Sequence, residues 1–135
     1  MKFFLSNNLK LAIKYQLDGV YIPAFNKQIN FIQFSLPKNF KIIGSAHNNF
    51  EISIKQKQRC EIIFISPIFK IKKKKHFLDI IKFNLLTLNK KINFVALGGI
   101  SEKNQNKLSL LNINGFAGIS YFQKKTASHG GRLNI

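Results

Sequence analysis

The chain has 135 residues and 45% hydrophobic content, enough for one domain with a buried core, which excludes a disordered polypeptide. Its one cysteine, Cys60, excludes an internal disulfide and a cysteine-based metal site, and no apolar run approaches the about 18 residues of a membrane span. The apolar stretch at the amino terminus stops at Ser6, too early for the core of a secretory signal. We therefore expect a soluble cytoplasmic protein.

The charge is strongly positive, with 22 Lys and Arg against 5 Asp and Glu and a formal net charge of +17. Such a field attracts polyanions, so nucleic-acid binding has to be weighed. Only Arg59 and Arg132 are arginines, and the lysines are spread along the chain instead of forming one face rich in arginine and aromatic residues. We therefore do not expect nucleic acid as a partner, and RNA binding is kept only as an alternative.

Hydrophobic residues alternate along the chain between a strand-like and a helix-like period. Six short apolar runs predict strands at positions 3–5, 20–22, 42–43, 62–65, 94–97 and 116–119. Helical spacing predicts helices at positions 9–17, 29–36, 50–58, 77–88 and around 108–111. We expect Gly19 to stop the first helix. We expect the fourth helix to face the core with the stripe Phe77, Ile80, Ile81, Leu85 and Leu88.

A strand and a helix repeated six times predict an α/β protein with a parallel sheet covered by helices. The periodicity alone fits both a doubly wound sheet and a (β/α) barrel. Polar and glycine residues at the strand ends favour the barrel, because barrel enzymes carry their sites at the carboxyl ends of the strands. These residues are Ser6-Asn7-Asn8, Ser45-Ala46-His47, Ser66-Pro67, Gly98-Gly99 and Ser120.

Gly98 and Gly99 follow the fifth predicted strand and precede Ser101. Glycines let the backbone approach a ligand closely, and we expect Ser101 to cap a helix whose free N–H groups face an anion. A second loop of the same kind, residues 115–120, covers the end of the sixth strand. Together the two loops predict one phosphate site.

From about residue 3 to residue 122 the chain resembles the thiamine phosphate synthase family and its thiazole tautomerase relatives, which are (β/α)8 barrels. Four motifs carry the resemblance, and they occur in the family's order at strand ends. They are residues 44–48 (Gly-Ser-Ala-His-Asn), 66–69 (Ser-Pro-Ile-Phe), 95–100 (Val-Ala-Leu-Gly-Gly-Ile) with Asn104, and 115–120 (Gly-Phe-Ala-Gly-Ile-Ser).

The resemblance implies an α/β fold of the (β/α)8 TIM-barrel type that lacks the first two βα units. Residues 1–122 would form this partial barrel domain of six units, and residues 123–135 a flexible tail. Six strands cannot close the usual barrel without leaving two edges, so either the chain is a truncated product, or its sequence starts late, or a homo-oligomer of two copies covers the edges.

The family's reaction joins a hydroxymethylpyrimidine diphosphate to a thiazole phosphate and releases pyrophosphate with the help of Mg²⁺. The residues that the resemblance assigns to the thiazole phosphate are Gly98, Gly99, Ile119 and Ser120. Those that it assigns to the diphosphate are Ser45, Lys74 and Asn7, and we count Ser45 and Lys74 as catalytic, together with His47.

The resemblance implies Mg²⁺ as the cofactor, but the two acidic residues expected to bind it are replaced by Asn7 and Asn26. Mg²⁺ relies on carboxylates and substrate phosphates, so a site made of two amides should bind it weakly.

The leading interpretation is a thiamine phosphate synthase-like transferase that acts on phosphorylated pyrimidine and thiazole substrates. An alternative is a thiazole tautomerase, which needs no metal and in which His47 would carry the proton, since histidine suits acid–base chemistry near neutral pH. A second alternative is a non-catalytic module that binds a phosphate ligand or RNA.

Overall fold

The structure is a computed structural model that describes residues 1–118 and 121–123. The chain divides into two compact units, Met1–Phe64 and Ile65–Ile135. Within the described residues, no helix has both the length and the hydrophobicity needed to cross a bilayer.

The first unit alternates parallel strands with helical connections. Its elements are β1 (Phe4–Ser6), α1 (Leu9–Lys14), β2 (Gly19–Ile22), a 3₁₀ helix (Asn30–Gln33), β3 (Lys41–Ala46), α2 (Asn49–Lys57) and the start of β4 (Ile62–Ile65). β2 lies between β1 and β3 and pairs in parallel with both, so that Tyr21 stands opposite Ser6 on one side and Ile43 on the other. The predicted strands of this unit are confirmed.

Both α-helices of the first unit begin at an asparagine that satisfies a free backbone N–H group. The Asn8 side chain accepts from the N–H of Leu11 at 3.0 Å, and that of Asn48 accepts from the N–H of Glu51 at 2.9 Å. The Glu51 carboxylate in turn accepts from the backbone N–H of His47 at 2.7 Å. These two bonds fix the start of α2 directly behind β3.

The core of the first unit lies between the sheet and its helices. Val20 and Ile22 are buried on one face of β2, whereas Tyr21 points to the other face, as the alternation of a strand requires. Ala12 of α1 and Ile52 of α2 have no exposed surface. The helices are therefore held to the sheet by a few fully buried apolar side chains.

Two predictions for the first unit are wrong. The helix predicted at 29–36 is only the 3₁₀ helix Asn30–Gln33, because side chains from α2 bind the backbone carbonyls of Asn26 and Gln28 just before it. Gly19 does not stop a helix but begins β2. A Cβ atom there would lie 2.1 Å from the Lys41 carbonyl oxygen, so the strand pairing leaves room only for hydrogen.

The second unit contains α3 (Asp79–Thr87), β5 (Asn93–Leu97), a second 3₁₀ helix (Gln105–Leu110) and β6 (Gly115–Ala117). β5 and β6 pair in parallel, with Val95 opposite Gly115. Leu108 and Leu111 are both buried, as their spacing predicted, although the helix that carries Leu108 has 3₁₀ and not α geometry. Residue 119 of the sixth predicted strand and residues 124–135 of the predicted tail lie outside the described residues.

The predicted core-facing stripe of α3 is wrong. Ile81, Leu85 and Leu88 are 76%, 65% and 56% exposed, whereas Phe83 and Thr87 are fully buried. The Thr87 hydroxyl donates to the Phe83 carbonyl at 3.0 Å, so the buried polar group is satisfied within the helix. Apolar residues at a spacing of three to four lie on two sides of this helix. The side that carries Phe83 is the buried one.

Replacing Phe83 by alanine should lower the free energy of unfolding by about 3–5 kcal/mol, because the substitution leaves a cavity at a fully buried site. Ile81→Ala, two residues away on the exposed side, should change it by no more than about 0.5 kcal/mol. Urea unfolding followed by circular dichroism measures both values. Equal losses for the two variants would mean that the face of α3 is assigned wrongly.

Candidate functional site

In the first unit, Ser45 lies near the carboxyl end of β3 and is 6% exposed. The Tyr21 hydroxyl donates to the Ser45 hydroxyl oxygen at 2.8 Å, and the Tyr21 ring packs edge-on against Phe64 with ring centroids 6.4 Å apart. Because this bond occupies Ser45 as an acceptor, the serine proton is left for donation to another group. The pair thus presents one oriented hydroxyl donor at a strand end.

His47 follows β3 directly and is exposed. Its backbone N–H is held by Glu51, so the residue occupies the junction between the strand and α2. The position agrees with the predicted strand end. A proton-carrying role for the imidazole remains a prediction.

The two amides that replace the acidic residues are brought together. The Asn26 side-chain NH₂ donates to the Asn7 side-chain oxygen at 2.6 Å, and the Asn26 side-chain oxygen accepts from the backbone N–H of Gln28 at 2.9 Å. The Gln28 bond fixes which end of the Asn26 amide carries the oxygen, since a backbone N–H must meet an acceptor. Both amide oxygens therefore already accept a hydrogen bond, that of Asn7 from Asn26 and that of Asn26 from the Gln28 backbone.

This arrangement does not fit Mg²⁺, which needs carboxylate or carbonyl oxygens that converge on one point. Among residues 1–118 and 121–123, no three His, Cys, Asp or Glu side chains stand close enough to hold a metal ion. A cavity of about 480 Å³ opens beside the amide pair, and its described lining residues include no carboxylate. Those residues are Asn7, Asn8, Leu9, Lys10, Val20, Ile22, Asn26, Gln28, Asn30, Gln33 and Phe34.

Two side chains hold the loop that carries Asn26. One belongs to Lys55 of α2, and the other to Gln58, the residue that follows this helix. The Lys55 ammonium donates to the Asn26 carbonyl oxygen and to the Gln58 side-chain oxygen, both at 2.8 Å. The Gln58 side-chain NH₂ donates to the carbonyl oxygens of Asn26 and Gln28, also at 2.8 Å. Lys55 and Gln58 have no exposed surface. Neither residue was predicted to matter.

Lys55 reaches this position by passing under Gly44 of β3. A Cβ atom at Gly44 would lie 2.7 Å from Cδ of Lys55 and 2.9 Å from the sulfur of Cys60. Burial lowers the pKa of the Lys55 ammonium, against the opposing influence of Cys60 and Glu51. Burial raises the pKa of the Cys60 thiol to about 12, and Lys55 acts in the opposite direction.

In the second unit, Gly98 and Gly99 follow β5 with positive φ angles of 92° and 75°. A Cβ atom at Gly99 would lie 2.4 Å from the Phe69 carbonyl oxygen, and one at Gly98 would lie 3.1 Å from Cα of Pro67. The glycines are thus required by the close approach of segment 67–70 and by their left-handed backbone.

The side chain of Asn104 fastens the turn that follows the glycines. It donates to the Gly99 carbonyl oxygen at 2.7 Å and accepts from the Ser101 N–H at 2.8 Å. The prediction that Ser101 caps a helix is wrong, because the next helix is the 3₁₀ helix that begins only at Gln105. A closed turn stands where free helical N–H groups were expected.

The lysine run lies in a tight turn of the second unit. Ile71 and Lys74 form an isolated antiparallel bridge, and residues 72–75 are all exposed. The bridge gives Lys74 a fixed backbone position within the run. Ile119 and Ser120, the remaining residues assigned to the thiazole phosphate, lie outside the described residues.

Comparison with known proteins gives a consistent result. The family model described as "Thiamine monophosphate synthase" matches residues 1–122. Thiamine-phosphate synthase of Prochlorococcus marinus subsp. pastoris is 33% identical over 109 residues, which are 78% of this chain and 31% of that protein. Thiamine-phosphate synthase of Clostridium tetani is 27% identical over 119 residues, or 86% of this chain and 56% of that protein.

The fold agrees with this result. The structure of thiamine phosphate pyrophosphorylase from Pyrococcus furiosus superimposes with a TM-score of 0.68 at 19% identity, over 87% of this chain and 56% of that one. The two share an α/β fold, here with six parallel strands. The chain spans from 31% to 56% of the length of these proteins.

Gly99→Ala should lower the free energy of unfolding by at least about 1–2 kcal/mol, the cost of a left-handed backbone for a residue with a Cβ atom. The contact with the Phe69 carbonyl adds to this loss. Gly115→Ala is the matched control, because its Cβ would meet nothing closer than 4.0 Å, and it should leave the stability unchanged or slightly higher. Urea unfolding measures the free energy of unfolding of both variants. A larger loss for Gly115→Ala than for Gly99→Ala would contradict this geometry.

Cys60 should make the folded state less stable at alkaline pH. The pKa of its thiol is about 12 when folded and about 8.5 when unfolded, so between these values only the unfolded state loses the proton and is thereby favoured. Between pH 8 and pH 10 the native protein should lose about 2 kcal/mol more than Cys60→Ala. Urea unfolding of both proteins at the two pH values measures this difference. Equal losses of stability in the two proteins would show that the thiol ionises as readily in the folded state as in the unfolded state.

Proposed function

Because the chain belongs to the thiamine monophosphate synthase family, we propose that it couples a hydroxymethylpyrimidine diphosphate to a thiazole phosphate and releases pyrophosphate. The observation that carries the proposal is the hydroxyl of Ser45, which stands near the carboxyl end of β3 and accepts from Tyr21, so that its own proton can be donated to a ligand. A hydroxyl fixed as a donor suits a diphosphate oxygen, which can only accept.

In the proposed reaction the bond between the pyrimidine methylene carbon and the diphosphate oxygen breaks as the methylene carbon becomes bonded to the thiazole. Negative charge builds up on the departing pyrophosphate, so the main task of the protein is to neutralise that charge. We assign this task to Ser45 and Lys74, with Asn7 as a neutral donor or acceptor nearby. No step is assigned to a metal, since the amide pair does not fit one.

The thiazole phosphate is proposed to bind at the backbone of Gly98 and Gly99, together with Ile119 and Ser120. The Asn104 bonds support this assignment, because they hold the Gly99 carbonyl and keep the turn in one conformation. A turn that is already ordered loses little entropy when a ligand binds.

We also propose that the strands take part in a barrel of the (β/α)8 type. The length of the Pyrococcus furiosus protein supports this proposal, since this chain covers 56% of it.

A thiazole tautomerase is the second candidate, favoured by the amides at positions 7 and 26. Such a reaction moves a proton and needs no metal, so the lack of acidic residues at these positions would not impair it. His47 is exposed at the end of β3, where a ligand can reach the imidazole.

Supplying both substrates with Mg²⁺ should give pyrophosphate, measured by a coupled phosphate assay. Ser45→Ala and Lys74→Ala should each lower kcat/KM by about 10- to 100-fold, since each removes one interaction with a charged group. Lys103→Ala, which removes an exposed lysine outside the run, should leave it within about twofold.

No turnover with the native protein would reject the synthase proposal. The tautomerase candidate then requires isomerisation of a thiazole carboxylate phosphate that His47→Ala abolishes while phosphate binding persists. Steep salt dependence of RNA binding without any response to thiazole phosphate would instead select the non-catalytic alternative.

A further inference from the structure

Lys55 is a buried cation whose polar partners are neutral. Its side chain has no exposed surface, and its ammonium bonds to the Asn26 carbonyl and the Gln58 amide. No carboxylate in the described part of the chain lies within ion-pair distance of it, since the ion pair of the first unit joins Lys41 and Glu61. Lys55 is therefore buried without a directly bonded counter-ion.

The carboxylates of the first unit are engaged elsewhere. Asp18 accepts from the N–H of Phe3 at 2.7 Å, and Glu61 pairs with Lys41. The remaining one, on Glu51, accepts from the N–H of His47. None of these carboxylates forms an ion pair with Lys55, and Glu51, one turn earlier on α2, acts on it only through space.

Packing alone does not explain a lysine at this position. The methylene groups fill the space beneath Gly44, and a methionine would fill it as well without burying a charge. Lys55 donates to two buried carbonyl oxygens, and a neutral donor could make such bonds without the cost of burying an ammonium that has no carboxylate partner. The fold thus needs a hydrogen-bond donor here but not a positive charge, and the charge is the feature that points to a ligand.

The ammonium contacts the backbone of Asn26, one of the two positions at which the resemblance places the metal of the family. The side chain of the same residue contacts Asn7. In place of two carboxylates and a divalent cation, this unit thus has two amides and one fixed ammonium. The cavity beside the amide pair is lined by uncharged amides and by Lys10 on its polar side.

We propose that Lys55 is the resident cation of this site, so that a diphosphate group binds beside Asn7 and Asn26 without a divalent metal. This inference rests on the proposed function only in taking a diphosphate as the ligand. The ammonium acts through space and through the Asn26 peptide, because Lys55 does not line the cavity. It is a positioning and electrostatic residue and not a catalytic one.

Such an effect is large enough to measure. A buried charge is screened little by salt, and unit charges near a protein surface still interact appreciably across several ångströms. Removing the ammonium should weaken binding of inorganic pyrophosphate by about tenfold or more, which corresponds to about 1.4 kcal/mol.

The test is isothermal titration of the full chain with inorganic pyrophosphate, once with a metal chelator and once with Mg²⁺. The variants are Lys55→Met, which removes the charge, and Lys55→Gln, which removes it but keeps a hydrogen-bond donor. The matched control is Gln58→Leu, which removes bonds to the same loop carbonyls without changing any charge. Thermal melting of each variant reports whether the loop and α2 remain folded.

We expect the native protein to bind pyrophosphate with the same affinity in the presence of the chelator and in the presence of Mg²⁺. Both Lys55 variants should lose affinity at least tenfold while Gln58→Leu stays within about threefold. Should Gln58→Leu fail to fold, the comparison of Lys55→Gln with the native protein still isolates the charge, because the amide keeps a donor at that position.

Three results would overturn the proposal. Binding that requires Mg²⁺ would reject the resident cation while leaving the proposed function standing. Equal losses for the folded Lys55 and Gln58 variants would show that Lys55 only holds the loop. No pyrophosphate binding under either condition would count against the diphosphate site itself, and so against the proposed function as well.

Discussion

The carbonyl oxygen of Asn26 accepts two side-chain hydrogen bonds, one from Lys55 and one from Gln58, and the polar end of the first unit depends on them. A loop without regular structure must find partners for its buried carbonyls, and here they come from α2. α2 is itself fixed by its Asn48 cap, so the cap, the helix and the loop form one connected arrangement. The orientation of the Asn26 amide, and with it the contact to Asn7, is the last link of this chain of bonds.

The strands were predictable from the sequence because buried parallel strands are short, continuous apolar runs. α2 was predictable to within a residue, since its apolar spacing agrees with a capping asparagine. The connection at 29–36 was not, because the loop just before it is held at Asn26 and Gln28 by side chains about 30 residues away. Spacing also could not choose the buried side of α3, where both Phe83 and the stripe through Ile81 have helical periodicity.

Parts of the candidate site follow from the sequence in the same way. Ser45 and the Gly98-Gly99 turn stand at strand ends, as expected. Lys55 and Gln58 were missed because a lysine within a lysine-rich helix is normally solvated. The one available signal was Lys55 three residues after the buried Ile52, which places it on the inner face of α2. Gly98 and Gly99 were predicted from phosphate binding, which is only part of the reason for glycine at these positions. Their close approach to the backbone at 67–70 requires glycine whether or not a ligand binds.

Gly44 leaves the space through which the Lys55 side chain passes. A side chain gained at position 44 would collide with the lysine, so loss of this glycine should be accompanied by loss of Lys55. The reverse does not follow, because the Cys60 sulfur and the Ile22 carbonyl oxygen also lie close to position 44. The charge beneath this strand can therefore be kept only while position 44 remains glycine.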